Sequence, residues 1–200
     1  DAPIASMDDA RELPTGEIGE LVVQGPQVSP AYVRDNTSMS ASTREASDTM
    51  QVVAEDASAK ANALAKISDG STQWHRMGDV GYFDGQGRFW YCGRKAHRVV
   101  TMDGSLFTIP IEAVFNAHPN VVRCAVVGWG KRGRQIPVLV VQSRHPHLWG
   151  VSNCDRLVGR AAAAWDALED ELIDLGGAHP EAGRVQHFLL RASLPVDVRH

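Results

Sequence analysis

Beyond Arg94 the apolar residues fall into strand-length and helix-length runs in the order strand, helix, strand, strand, helix, strand. That order admits a small sheet with helices on one side and little else. Arg98 to Thr101 reads as a strand leading into a tight turn at Met102-Asp103-Gly104-Ser105. Thr108 is placed to cap a helix with Pro110 in its first turn, running to His118 and stopped by Pro119. Strands from Val121 to Gly128 and from Ile136 to Gln142 flank a basic turn, Lys131-Arg132-Gly133-Arg134. A long helix from about Asn153 to Leu175 carries Leu157, Ala161, Trp165, Leu168 and Leu172 on one face and closes at Gly176-Gly177. Val185 to Arg191 reads as the last strand.

Ahead of Arg94 the pattern is richer in strands and resembles the edge of a larger domain. Residues 17 to 24 form a strand ending at Gly25-Pro26. Val80 to Phe83 and Arg88 to Cys92 make a hairpin around Asp84-Gly85-Gln86-Gly87. Between them, residues 36 to 49 are rich in Ser, Thr, Asn and Asp, with Ser42 and Glu45 spaced as a capping box. Met50, Val53, Ala57, Leu64 and Ile67 then recur at roughly helical spacing as far as Gly70. The expected organisation is therefore residues 1–94 as one domain's end, with 35–72 a peripheral helical insertion free of chemistry, and 95–200 as a second, small α+β domain.

Two hundred residues bury enough core to need neither disulfide nor metal. A net charge of −4 gives no electrostatic case for nucleic acid as the main partner, and the cluster Arg88, Arg94, Lys95 and Arg98 reads equally as a solvated turn face. Cys92, Cys124 and Cys154 are odd in number, with no paired spacing; Cys92 and Cys124 sit in strand-like runs where burial is expected. No apolar run has transmembrane length and no signal peptide is recognisable, so a cytoplasmic protein is expected. The chain opens without Met and ends on a turn-like stretch, as if cut from something longer.

The chemistry concentrates in Trp74-His75-Arg76-Met77-Gly78-Asp79-Val80-Gly81-Tyr82 and in Gly93-Arg94-Lys95, which are expected to set one carboxylate and one guanidinium at two turns of a short β-unit. Asp79 follows a glycine that frees the backbone, and a carboxylate can accept from both hydroxyls of a ribose diol. The competing reading is a self-capping turn aspartate. Arg94 presents a fork suited to hydroxyl or phosphate oxygens, or else is a solvated arginine beside a turn. Strand alternation sends His75 and Arg76 to opposite faces, and a satisfied structural histidine is as good a reading of His75 as a base. His145, His147, His179 and His187 lack metal-ligand spacing. The glycines around Gly128-Trp129-Gly130 and Gly133 lack the lysine and hydroxyl of a phosphate loop.

In Thr15-Gly16-Glu17-Ile18-Gly19-Glu20-Leu21, Met77-Gly78-Asp79, Gly93-Arg94-Lys95, and Glu112 with His118-Pro119, the sequence resembles the adenylate-forming superfamily of acyl-CoA synthetases, luciferases and adenylation domains. A closer resemblance, through Gly25-Pro26-Gln27-Val28-Ser29-Pro30, Trp74 to Asp79, Gly93 to Arg98 and Pro195 to His200, is to the β-lactone synthetases of bacterial long-chain olefin biosynthesis. The resemblance implies an α/β (α+β) fold: the strand-rich end of a large N-terminal domain plus a small, mobile, ferredoxin-like C-terminal domain that stops before an expected catalytic lysine.

The resemblance also implies an ATP-dependent ligase, using Mg²⁺, that converts a long-chain 2-alkyl-3-hydroxy fatty acid through an acyl-AMP into a β-lactone. Asp79 and Arg94 would be the catalytic and cofactor-binding residues, on the ribose and on ribose or phosphate. Other olefin-biosynthesis enzymes are the expected partners. The alternative is a fatty acyl-CoA or acyl-carrier-protein ligase. Against that alternative stand Ala96 and Val100, where the wider family commonly has Asp or Lys at the hinge and a lysine after it, and the altered turn Met102 to Phe107.

Overall fold

The computed structural model describes residues 2–32, 58–152 and 157–195. It divides into two compact units, Asp1–Tyr91 and Cys92–His200. The expected capping box at Ser42 and Glu45, the start of the expected long helix at Asn153, Cys154, and the segment Val196 to His200 lie outside the described residues.

The first unit is built on a sheet of four strands, β1 (Gly19–Gln24), β2 (Lys66–Asp69), β3 (Thr72–Phe83) and β4 (Phe89–Arg94), the last three residues of β4, Cys92, Gly93 and Arg94, belonging to the second unit. β3 is central and pairs antiparallel with both β1 and β2, while β4 returns against it through the Asp84 turn. The Asp84 carboxylate accepts the backbone N–H groups of Gln86 and Arg88, the Arg88 guanidinium and the Trp90 indole N–H at 2.7–3.0 Å. These bonds hold its carboxyl down at about 2, the Trp90 donor being the largest cause. The expected hairpin is therefore present, fixed by one side chain.

The expected helix needs correction at its end, while Met50, Val53 and Ala57 lie outside the described residues. Residues 58–65 are helical (α1), but the chain leaves the helix at Lys66. Ile67, placed by spacing on the helical stripe, is fully buried in β2 opposite Trp74. Helical spacing did not outweigh β-pairing at Ile67 with a strand that extends eight residues further back than Val80, to Thr72.

In the second unit, β5 (Val99–Thr101) and β6 (Gly104–Leu106) form a separate two-stranded hairpin. Met102 and Asp103 alone make its turn, so Gly104 and Ser105 are strand residues rather than turn residues. The three-stranded sheet runs β7 (Val121–Trp129), β8 (Ile136–Ser143), β9 (His187–Leu190), antiparallel and then parallel. The first strand of the expected order is thus not part of this sheet. α2 (Thr108–Asn116) and α3 (Gly159–Gly177) bury Ile111, Phe115, Trp165, Leu168 and Leu172 against Val121, Val126, Leu139, Val141 and Leu190. Both helices pack on one face of the sheet, as the element order requires. Phe107, not Thr108, holds the N-cap position of α2; Thr108 is its first helical residue and is buried.

Among the described residues no helix is long and apolar enough to cross a membrane, and no cluster of His, Cys, Asp or Glu could hold a metal ion.

Candidate nucleotide site

Asp79 does not stand in a turn. It lies inside β3, at an irregularity in the pairing with β1. Glu20 pairs with Val80 and Val22 with Arg76, so a single residue of β1 faces Met77, Gly78 and Asp79 of β3. Two extra residues are accommodated because Gly78 takes φ of 69°, a left-handed conformation that costs glycine nothing. Such a bulge breaks the alternation of the strand and re-aims the side chains beside it. The half-buried Asp79 is therefore presented by a local distortion that its own Gly-Asp dipeptide makes possible.

The two residues before this bulge are structural. His75 has Nδ1 at 3.1 Å from the Ala65 carbonyl and Nε2 at 3.4 Å from the Tyr32 hydroxyl, with Tyr32 edge-on to its ring. Arg76 is buried and donates to Glu20 at 2.7 and 3.1 Å and to the carbonyls of Ala2 and Leu64 at 2.9 and 3.0 Å. Four of its five N–H donors are directed at protein oxygens, so it braces β3 against β1 and α1.

Arg94 ends β4 with an exposed side chain, and Lys95–His97 follow as a 3-10 turn. It is at a strand end rather than in the turn expected for it. Gly93 before it is buried with φ of 118°, and a Cβ there would meet the Thr108 hydroxyl at 3.2 Å. That close approach requires glycine, and it fixes the path of the chain into Arg94. Asp79 belongs to the first unit and Arg94 to the second.

The residue that sequence reasoning missed is Gln135. Its Oε1 accepts the Val100 N–H at 2.8 Å, its own N–H donates to the Val100 carbonyl at 3.1 Å, and its Nε2 donates to the Gly128 carbonyl at 3.2 Å. It ties the strand that follows Arg94 to the β7–β8 hairpin. A side chain that bonds a backbone thirty-five residues away leaves no local pattern to read.

No family model matches the chain. In fold it is similar to the o-succinylbenzoate coenzyme A synthetase of Bacillus subtilis solved with ATP and magnesium, with a TM-score of 0.58 and 18% identity over 94% of this chain and 30% of that one. The fold is that of the adenylate-forming enzymes. Within that class it is 40% identical over 202 residues to the olefin β-lactone synthetase of Xanthomonas campestris, and equally so to that of Stenotrophomonas maltophilia. Both alignments cover all of this chain, which spans 30% of the length of each relative.

Proposed function

We propose that this protein carries out the ATP-dependent closure of a long-chain 2-alkyl-3-hydroxy fatty acid to a β-lactone in olefin biosynthesis. The observation that carries this reading is the 40% identity along the entire chain with two olefin β-lactone synthetases. Residues 1–94 would be the end of the large domain and 95–200 the small one.

The chemistry is physically coherent. A carboxylate oxygen of the substrate attacks the α-phosphorus of ATP, and pyrophosphate leaves to give the acyl-AMP. The 3-hydroxyl oxygen then attacks the acyl carbon, the bond to the phosphate oxygen breaks, and AMP departs as the hydroxyl proton passes to a phosphate oxygen or to water. An internal hydroxyl outcompetes external acceptors through effective concentration, against the strain of the four-membered ring. Mg²⁺ would supply charge neutralisation on the triphosphate. In this reading the Asp79 carboxylate accepts from the ribose hydroxyls of ATP and then of the acyl-AMP, and Arg94 donates to a ribose or phosphate oxygen. The cytoplasm, where ATP is made available, is the proposed location, with other olefin-biosynthesis enzymes as partners.

The test is mass spectrometry of the products formed by the protein from ATP, Mg²⁺ and a racemic 2-alkyl-3-hydroxy fatty acid without CoA. A dehydrated product with one AMP per turnover is expected. Acyl-AMP that is discharged only on adding CoA or a carrier protein would replace this reading with a thioester ligase.

A further inference from the structure

The nucleotide site leaves one conspicuous surface of the second unit unused: the tip of the β7–β8 hairpin. Trp129 is 69% exposed there, and its cross-strand partner Ile136 is exposed as well. Behind them on the same face lie exposed Val127 and its partner Val138. The connection between Trp129 and Ile136 holds Lys131, Arg132 and Arg134, all exposed, and no acidic residue. Among the described residues none of these cations pairs with a carboxylate; the Arg132 guanidinium reaches only the Ala96 carbonyl, at 3.5 Å. In a chain of net charge −4 this is a local inversion of sign.

The tip is also rigid. Gly133 and Gln135 both donate their N–H groups to the Val100 carbonyl at 3.0 and 3.1 Å, and Arg134 N–H closes a turn onto the Lys131 carbonyl at 2.9 Å. Together with the Gln135 side chain, these bonds order the loop in advance. A surface presented in this way binds without first losing conformational freedom.

We propose that the β7–β8 tip docks on an anionic lipid surface, with the Trp129 ring in the headgroup layer and Lys131, Arg132 and Arg134 on the lipid phosphates. An indole is at home at a membrane–water interface, and each cation near an anionic leaflet adds attraction. Trp129, Ile136, Val127 and Val138 together present too little surface for a protein interface, which takes on the order of 800 Å² from each partner. A discrete phosphate ligand would call for converging, buried polar groups, and the three cations are all on the outside. The proposal stands apart from the nucleotide site and is tested without turnover.

The experiment is sedimentation of the protein with phosphatidylcholine vesicles, with and without phosphatidylglycerol. Binding to the anionic vesicles alone is expected, falling as salt is raised. K131Q/R132Q/R134Q should lower the partition coefficient roughly 100-fold. W129A should weaken it and abolish the blue shift of tryptophan fluorescence on binding, and W129F should retain part of the affinity. Thermal melts of the variants report whether they are folded, and the salt dependence of the wild type stands even if the triple variant is not. Equal binding to neutral and anionic vesicles, no binding, an unaffected triple variant, or loss of binding to inorganic phosphate at matched ionic strength would each overturn the proposal.

Discussion

The Glu112 carboxylate accepts the backbone N–H of Val126 at 2.8 Å, and one turn along α2 the Asn116 side chain accepts that of Cys124 at 3.0 Å. Among the described residues β7 is an edge strand, paired with β8 alone. Two side chains of the helix thus satisfy the amides that an exposed edge would offer to another chain.

Removing that acceptor leaves a buried N–H unpaired, so Glu112→Ala should cost about 1–3 kcal/mol, read by denaturant unfolding. Glu112→Gln keeps the acceptor and removes the charge. Burial raises the Glu112 carboxyl above its ordinary 4.5, against the Val126 N–H and the charge of His97. The folded protein therefore binds more protons than the unfolded chain between 4.5 and that raised value. The associated stability is full below 4.5 and is lost as pH rises through the folded value. The thermal midpoint of wild type relative to Glu112→Gln should accordingly fall as pH is raised above 4.5; a constant difference would contradict the assignment.

The ion pair of Arg76 with Glu20 should be costly to break and useless to mimic. Both partners are largely buried, and Arg76 also serves the carbonyls of Ala2 and Leu64. Arg76→Met removes the guanidinium from the largely buried Glu20 carboxylate and from both carbonyls, and about 3–5 kcal/mol of stability should go with it. Arg76→Lys replaces a planar fork by a single ammonium and cannot reach all three acceptors. Chemical denaturation should place it much nearer to Arg76→Met than to wild type. A lysine variant of wild-type stability would mean that charge alone suffices.

Cys124 is held in the core, its thiol pushed up to about 12 by burial and by the neighbouring Glu112 charge. Relative to an ordinary cysteine its thiolate is scarcer by about a thousandfold at a given pH. Peptide mass spectrometry after iodoacetamide treatment at mild alkaline pH should find Cys124 unmodified in the native protein and alkylated in urea. Cys92, buried and also raised, should behave in the same sense.

The two-helix packing of the second unit was legible because Trp165, Leu168 and Leu172 recur on one face of α3, and helical spacing is a local property. Cys92 and Cys124 were likewise readable as core residues from the strands around them. β2 was not, because Ile67 satisfies a helical stripe and a buried strand equally well, and only pairing with Trp74 decides. Nor was the position of Asp79 legible: a glycine before an aspartate reads as a turn, and a bulge is defined by the partner strand, whose flanking pairs Glu20 with Val80 and Val22 with Arg76 are far apart in sequence. The Arg76 and Gln135 contacts were hidden for the same reason, being made to backbone that lies far off in sequence.

Asp79 is where the bulge and the proposed chemistry meet. If its carboxylate accepts from the ribose diol, Asp79→Ala removes charge-assisted hydrogen bonds of about 1.5–3 kcal/mol, and the KM for ATP should rise by roughly 10-fold to 150-fold in pyrophosphate exchange. Asp79→Asn keeps one acceptor oxygen and should fall between alanine and wild type. Gly78→Ala tests the geometry behind it: a side chain at φ of 69° is strained, so relaxation of the bulge should impair ATP use while Asp79 itself is intact. Thermal melts report whether each variant is folded, and Gly78→Ala should lower the midpoint. Full activity in Asp79→Ala would remove this residue from the site and leave the bulge as a purely structural feature.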